Sequence, residues 1–491
     1  MDAMATDATT RRIDALIEGK RERFIDYANQ VWEYAETRFE ESRSVSALSD
    51  ALEAEGFQVE RGIAGIDTAF VASYGTGKPV IALLGEYDAL AGLSQRGEAS
   101  EAEPLIPGGN GHGCGHNLLG VAALAGAVGV RDYLEERRSK QGLAGTIRFY
   151  GCPGEEGGSG KTFMVREGVF DDVDAALTWH PQAFNAIFST PTLANIQAYF
   201  RFKGTSAHAA NSPHLGRSAL DAVELMNVGA NYLREHIVPD ARFHYSITRA
   251  GGASPNVVQA DAEVLYLMRA RRMSDVQAIF ERIRKIAEGA ALMTGTRVEM
   301  TFDKACSGYR PNRTLERLMQ SQFEAFGPPR HNAEEKAYGE RIKATVSDDD
   351  LRTTYANIIA AGGEAAEAYV EELADQALVD NLAPYSASET LMYGSTDVGD
   401  VSWVVPTAQC YVNCFALGTP LHTWQVVAQG RSSLGHKGML QAAKIMAGTA
   451  VALMQDPATL AEARAELNRA TQREPYRCPI PDDVTPSPLK G

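Results

Sequence analysis

The chain of 491 residues has no long apolar run. Its longest, Leu118 to Val130, is broken by Gly120, Gly126 and Gly129, and falls short of the ~20 residues a membrane span needs. The N-terminal MDAMATDATTRR lacks the apolar stretch of a secretory signal. Cysteine is sparse. Six residues scattered through so long a chain make no disulfide framework, which fits a reducing compartment, and the cytoplasm is the expected location. Positive charge is in deficit. Lys and Arg number 47 against 63 Asp and Glu, and a net charge of −16 repels phosphate backbones, so nucleic-acid binding is not expected. No internal repeat is present. What is there is globular: 44% hydrophobic residues exclude disorder over most of the chain, and the length predicts more than one domain.

Residues 12–55 carry apolar positions at helical spacing, among them Ile13, Leu16, Ile17, Phe24, Val31 and Trp32. Short β-rich runs follow at 69–75 and 80–86. A glycine-rich stretch, PGGNGHGCGH, opens onto an Ala/Leu/Gly-rich helix at 117–136. TIRFYGC (146–152) and AALTWHP (175–181) read as further strands, each before a loop. Strands alternating with helices predict an α/β fold with a mostly parallel sheet, whose ligands sit at the carboxyl ends of the strands. Between 191 and 304 the order becomes β-α-β-β-α-β, the ferredoxin-like α+β pattern. We therefore expect three segments. Residues 1–190 begin a catalytic domain, 191–304 form an inserted lid or dimerisation domain, and 305–491 complete the first. Within the last, 330–385 is Ala/Glu-rich with SDDD at 347–350, and reads as a solvated acidic helical insertion. A final helix is expected at 437–455, and an extended tail after 472.

Four loops concentrate metal-ligand residue types. In Gly113-Cys114-Gly115-His116, thiolate and imidazole two residues apart can turn toward one cation. The bland alternative is a glycine turn with a buried cysteine. In Gly154-Glu155-Glu156-Gly157, one carboxylate can bind metal while the other takes a proton from water, or the pair is a solvated acidic turn. That segment runs on to Gly160-Lys161-Thr162 but is no phosphate loop, because the required first glycine is Glu155. Trp179-His180-Pro181 and Leu421-His422-Thr423 add one histidine each, and His436 reads as a helix cap or core residue. Together they offer the mixture a dinuclear hydrolytic centre requires, and amide hydrolysis is the reaction such a centre serves.

The ordered set Cys-Gly-His, Glu-Glu-Gly, Trp-His-Pro, Gly-Thr-Ser-Ala-His and a late histidine resembles the M20 family of metallopeptidases and amidohydrolases. GEYDAL (85–90), GHGCGHN (111–117), GTSAHAA (204–210), STDVGDVSW (395–403) and GHKGM (435–439) are most similar to the B-type subunits of its aminobenzoyl-glutamate hydrolase branch. The resemblance covers residues 12 to 455. It implies two divalent ions per chain, manganese or zinc, bridged by Cys114, with His116, Glu156, His180 and His422 completing the two shells. It implies Glu155 as general base and acid. It implies that His208, in the inserted domain, reaches the active site of a partner subunit and steadies the oxyanion. Asn256 and Arg269 resemble substrate-positioning residues, although a surface ion pair is the plainer reading of Arg269. Many family members carry His-x-Asp where this chain has Glu86-Tyr87-Asp88. Asp88 then orients a ligand histidine from behind, and contact of Glu86 with metal is an open question.

The resemblance further implies an N-acyl or N-aroyl amino acid substrate, of p-aminobenzoyl-glutamate type. An aminoacylase or dipeptidase of the same fold, or a non-catalytic subunit, are the alternatives. The implied assembly is a homodimer through the inserted domain, or a heteromer with a related subunit.

Overall fold

A computed structural model describes residues 3–138, 144–362 and 364–488. Three helices come first: α1 Ala3–Glu18, α2 Arg21–Tyr34 and α3 Ser42–Ala54. Strands β1 Gln58–Arg61, β2 Phe70–Thr76 and β3 Val80–Glu86 follow. Then come α4 His116–Arg138, β4 Gly145–Cys152, α5 Gly160–Arg166, β5 Ala175–Gln182 and the short β6 Ala186–Ile187. The chain next builds β7 Ala194–Lys203, α6 Ala219–Leu233, β8 Arg242–Arg249, β9 Asp261–Ala270, α7 Met273–Thr294 and β10 Arg297–Cys306. It closes with α8 Arg313–Phe326, α9 Ala333–Lys343, α10 Asp348–Gly362, α11 Glu364–Leu373, α12 Val398–Val404, β11 Thr407–Asn413, α13 Trp424–Gln429, α14 Ser433–Gln455 and α15 Pro457–Thr471.

The strands sort into two sheets. One has seven strands in the order β1-β2-β4-β3-β5-β11-β6. Its centre, β4-β3-β5-β11, is parallel, and the outer strands are antiparallel. The α/β architecture with a mostly parallel sheet is therefore present. Every residue of β3, VIALLGE, is buried, as expected of a strand covered by helices on both faces. Helices α4 and α14 supply one cover. Both are apolar round most of their circumference, which is the pattern of a helix enclosed by protein.

The other sheet is antiparallel, in the order β10-β7-β9-β8. Strand β9 alternates strictly between buried and half-buried residues, so one of its faces packs on α6 and α7. This is the β-α-β-β-α-β arrangement read from the sequence.

Helices α9, α10 and α11 occupy the acidic segment. Asp348, Asp349 and Asp350 sit in the first turn of α10, where negative charge meets the positive end of the helix dipole. The segment is more than a solvated face. Ile358, Tyr369 and Leu373 bury against Phe184 and Leu417, and Tyr338 and Ile342 against Leu378 and Ala416. After the helix ending at Gln455 the chain adds α15, which periodicity alone did not predict. Among the described residues the tail beyond it has no regular element, yet Tyr476, Cys478 and Ile480 pack on the core.

Candidate active site

Glu86 ends β3 and pairs in register with Cys152 at the end of β4, and His180 near the end of β5 pairs with Tyr411 of β11. The carboxyl ends of the four parallel strands thus lie together. The chain leaves β3 to one side for β4 and returns to the other side for β5, so β3 marks the topological switch point where α/β sheets hold ligands. The Cys114–His116 loop, the Glu155–Glu156 loop, His180 and the His422 loop all emerge there.

The structure brings the predicted donors into two triplets, Cys114-His116-His180 and Cys114-Glu156-His422. In each, one donor atom per residue lies within 4.8 Å of the others, and Cys114 belongs to both. Its Sγ is 3.3 Å from His180 Nε2, and His422 Nε2 is 3.1 Å from Glu156 Oε1. Tautomers follow from the partners on the far side of each ring. His180 Nδ1 donates to the carbonyl of Pro181 at 2.8 Å, and His116 Nδ1 donates to Asp88 Oδ1 at 3.0 Å. Each Nε2 is therefore left with its lone pair facing the cluster. Asp88 also accepts the Glu156 amide, at 2.7 Å, so one carboxylate orients both an imidazole and the acidic loop.

Local chain geometry makes this possible. A Cβ on Gly113 would come to 2.5 Å from Leu93 Cδ1 and 3.2 Å from His422 Cα, so glycine is what lets the late loop close on the early one. His422 itself has a left-handed backbone, φ 62°, rare for a residue with a side chain, and its amide donates to Gly113 O at 2.7 Å.

Charge separates the two neighbouring glutamates. Burial raises Glu156, but His422 and His116 outweigh it and hold its carboxyl at about 2. Burial also raises Glu155, and there the carboxylates of Glu86, Glu156 and Asp397 add to it, so Glu155 stands well above the usual range. Burial and Glu156 push the Cys114 thiol up, yet His180 and His116 bring it down to about 6, which favours the thiolate that ligates metal. Glu155 Oε2 lies 3.9 Å from His116 Nε2, beside the donors.

Comparison with known proteins decides the family. The sequence profile of Peptidase family M20/M25/M40 matches residues 82–368. The chain belongs to that family. It is 60% identical to the B-type subunit of p-aminobenzoyl-glutamate hydrolase from Escherichia coli, over 98% of this chain and 99% of the other. It is 27% identical to the Xaa-Arg dipeptidase of Mus musculus over 94% of this chain and 93% of that one. Among solved structures, an aminobenzoyl-glutamate utilization protein from Klebsiella pneumoniae shares the fold, with a TM-score of 0.57 and 18% identity over 90% of this chain and 98% of that one. This chain is thus an M20-family hydrolase.

The M20 donor set fits a metal centre. It offers one thiol, three imidazoles and a carboxylate at the end of one sheet. His116 Nε2 and Glu156 Oε1 are buried without a well-aligned hydrogen bond, a costly state that a cation relieves. His112, in the same motif, stays outside the triplets and bonds Val31 O at 2.9 Å. His436 is buried against Asn29, 3.1 Å away, as a core residue.

The remaining predicted residues lie elsewhere. His208 is exposed, in an isolated bridge with Val257. Its Nδ1 accepts the amides of Ala210 and Asn211 at 3.2 and 3.1 Å, which leaves the proton on Nε2. Asn256 is exposed beside it, its carbonyl accepting the Ala209 amide at 2.9 Å. Arg269 is half-buried on β9, with Nη1 3.4 Å from Ser395 Oγ. None of the three joins a donor triplet.

Sequence reasoning reached Asp88 and Glu86 in the layer behind the site, but missed Lys161 and Asp397. Lys161 is wholly buried, with Nζ 2.6 Å from both Glu86 Oε1 and Asp397 Oδ1. Glu86 turns its other oxygen to within 3.3 Å of His116 Nε2. In the sequence, Lys161 stands out only as the lysine of a broken phosphate loop, and Asp397 only as one letter of a motif. A buried lysine is legible once two carboxylates are seen to surround it, which needs the fold.

Proposed function

We propose that this chain is a dinuclear metal-dependent amidohydrolase that cleaves the amide of N-acyl or N-aroyl amino acids, with p-aminobenzoyl-glutamate as the leading substrate. The observation that carries this is the pair of donor triplets sharing Cys114, with Glu155 beside them. The 60% identity to a subunit of p-aminobenzoyl-glutamate hydrolase supports the substrate. Cys114, His116 and His180 would hold one ion, and Cys114, Glu156 and His422 the other, manganese or zinc. Bound there, the ions would supply Lewis acidity toward the amide carbonyl and the attacking water.

The protein's own groups do the rest. Glu155 takes a proton from water as the new C–O bond forms at the carbonyl carbon. It returns that proton to the amine nitrogen as the C–N bond breaks. Its raised proton affinity suits that exchange near neutral pH. Asp88 holds His116 and the Glu156 backbone in register.

His208 acts from a second copy, its Nε2–H donating to the developing oxyanion. The division into a catalytic unit with a lid and dimerisation unit at 191–304 is part of this reading. Two features of the four-stranded sheet support a dimer through it. Among the described residues, strand β8 is an unpaired edge, and α6 exposes Leu225, Val228 and Tyr232 on one stripe. Asn256 and Arg269 would hold the substrate, Arg269 through its carboxylate.

Metal content, measured with hydrolysis of p-aminobenzoyl-glutamate before and after chelation, tests the reading. Two transition-metal ions per chain are expected, with activity lost on chelation and restored by re-addition. Absence of metal with no activity on reconstitution refutes it. The likeness to an Xaa-Arg dipeptidase favours a dipeptidase as the neighbouring reading, which a panel of N-acyl amino acids and dipeptides separates. The bacterial relative is named as one subunit of its hydrolase, which favours a heteromer. Full metal occupancy with activity only after a related subunit is added would establish it.

A further inference from the structure

We propose that Arg38 is a positioning residue that ties the carboxylate loop to the two strands rooting the four-stranded sheet. The proposal rests on the reading of Glu155 and Glu156 as the working carboxylates. Their loop is intrinsically permissive, since Gly154 and Gly157 have φ of +67° and +87°. Its shape is set from outside by three buried side chains. Glu41 Oε1 accepts the Gly154 amide at 2.9 Å and Asp88 Oδ2 accepts the Glu156 amide at 2.7 Å. Arg38 Nη1 donates to the carbonyl of Gly157.

Arg38 differs from the other two in where its remaining donors go. Its guanidinium forks onto Asp303, Nη2 to Oδ1 at 2.9 Å and Nη1 to Oδ2 at 3.1 Å, with both side chains 2% exposed or less. Asp303 lies on β10 and also accepts Gln197 Nε2 of β7 at 2.6 Å. Strands β7 and β10 pair with each other, and they are the first and last strands of the four-stranded sheet. A planar fork bound at both ends transmits direction as well as charge. Any tilt of β7 and β10 that carries Asp303 carries Arg38, and Arg38 carries Gly157, next to Glu156. The orientation of one sheet thereby sets the aim of carboxylates on the other.

The test uses the full-length, metal-loaded protein. Asp303→Asn keeps the shape and breaks the charged fork at a residue that touches no donor of the site. Hydrogen–deuterium exchange of a peptide covering 153–161 is read beside kcat, KM and metal content. The expected result is faster exchange in that peptide and a kcat lowered about ten-fold with KM changed less than about two-fold. Arg38→Lys should fall between wild type and Asp303→Asn. Arg38→Met with Asp303→Asn should be no worse than Arg38→Met alone, the non-additivity of one coupled unit. Wild-type exchange and kcat in Asp303→Asn overturn the proposal, as does a lowered thermal midpoint with unchanged loop exchange. If Asp303→Asn does not fold, Gln197→Met, which removes one donor to Asp303, decides the same question. Glu155→Gln is run in parallel. Unchanged turnover there refutes the catalytic reading, while loop exchange still decides the coupling.

Discussion

The two sheets treat their polar residues in opposite ways. At the carboxyl ends of the seven-stranded sheet, Cys114, His116, Glu156, His180 and Glu86 are gathered below the surface, and each is oriented by another side chain or a backbone group. On the four-stranded sheet, His208 and Asn256 stand exposed, and His208 is held in one tautomer by the amides of its own turn. Of the donors in the first arrangement only His422 is exposed, and all of them come from one chain. The second arrangement leaves an imidazole N–H exposed, which under the proposed function meets its acceptor in a second copy. Buried groups must find partners locally because desolvation is expensive, whereas an exposed group can wait for a partner brought by assembly.

That contrast can be broken experimentally, most severely at Cys114. Cys114→Ala removes the donor common to both triplets, and metal analysis should show loss of both ions with activity at the detection limit. Cys152→Ala, an equally buried thiol outside the triplets, should keep its metal. Equal metal loss in the two variants would mean that the triplets are not the centre. Glu155→Gln comes next: kcat should fall about 10²- to 10⁴-fold with metal content unchanged. His208→Ala should cost about 10²-fold in kcat with metal again unchanged. Mixing it with inactive Glu155→Gln under conditions that exchange subunits should restore part of the activity, because each mixed dimer then holds one intact site. No recovery after proven exchange would place His208 in its own chain's reaction or outside the reaction.

The smallest effect is on stability. Burial, then Arg21 and Arg431, lower His436 to about 4 from an ordinary 6.5. The unfolded chain therefore binds a proton between those values that the folded chain refuses, and stability should fall as pH drops from 6.5 to 4. His436→Gln should remove on the order of 1–3 kcal/mol of that loss across the window, read in denaturant titrations at several pH values. An unchanged slope would show that other buried groups carry the acid sensitivity.

Much of this is readable before folding is considered. The alternation of strands and helices announces the α/β sheet, and glycine-rich loops after strands announce the donors. The acidic segment 330–385 reads as solvated because Asp and Glu recur among its alanines, and only the packing shows that its larger apolar residues bury in two clusters. Helix α15 hides in the stretch before the proline-rich tail, although Asp456 caps its first turn. Lys161, Asp397 and Arg38 resist assignment, because an isolated Lys, Asp or Arg in a sequence reads as surface charge.

By itself the sequence determined which residue types are present, which of them end a strand, and where glycine frees the backbone. Those are local properties, set by periodicity and by φ,ψ preference. Only the tertiary structure decided that Cys114 faces both His180 and His422, that Asp88 serves an imidazole and an amide at once, and that Arg38 reaches Asp303 across the fold. Such pairings join residues far apart in the chain. They are chosen by burial, because charges removed from water must meet there, and no local pattern encodes which ones will.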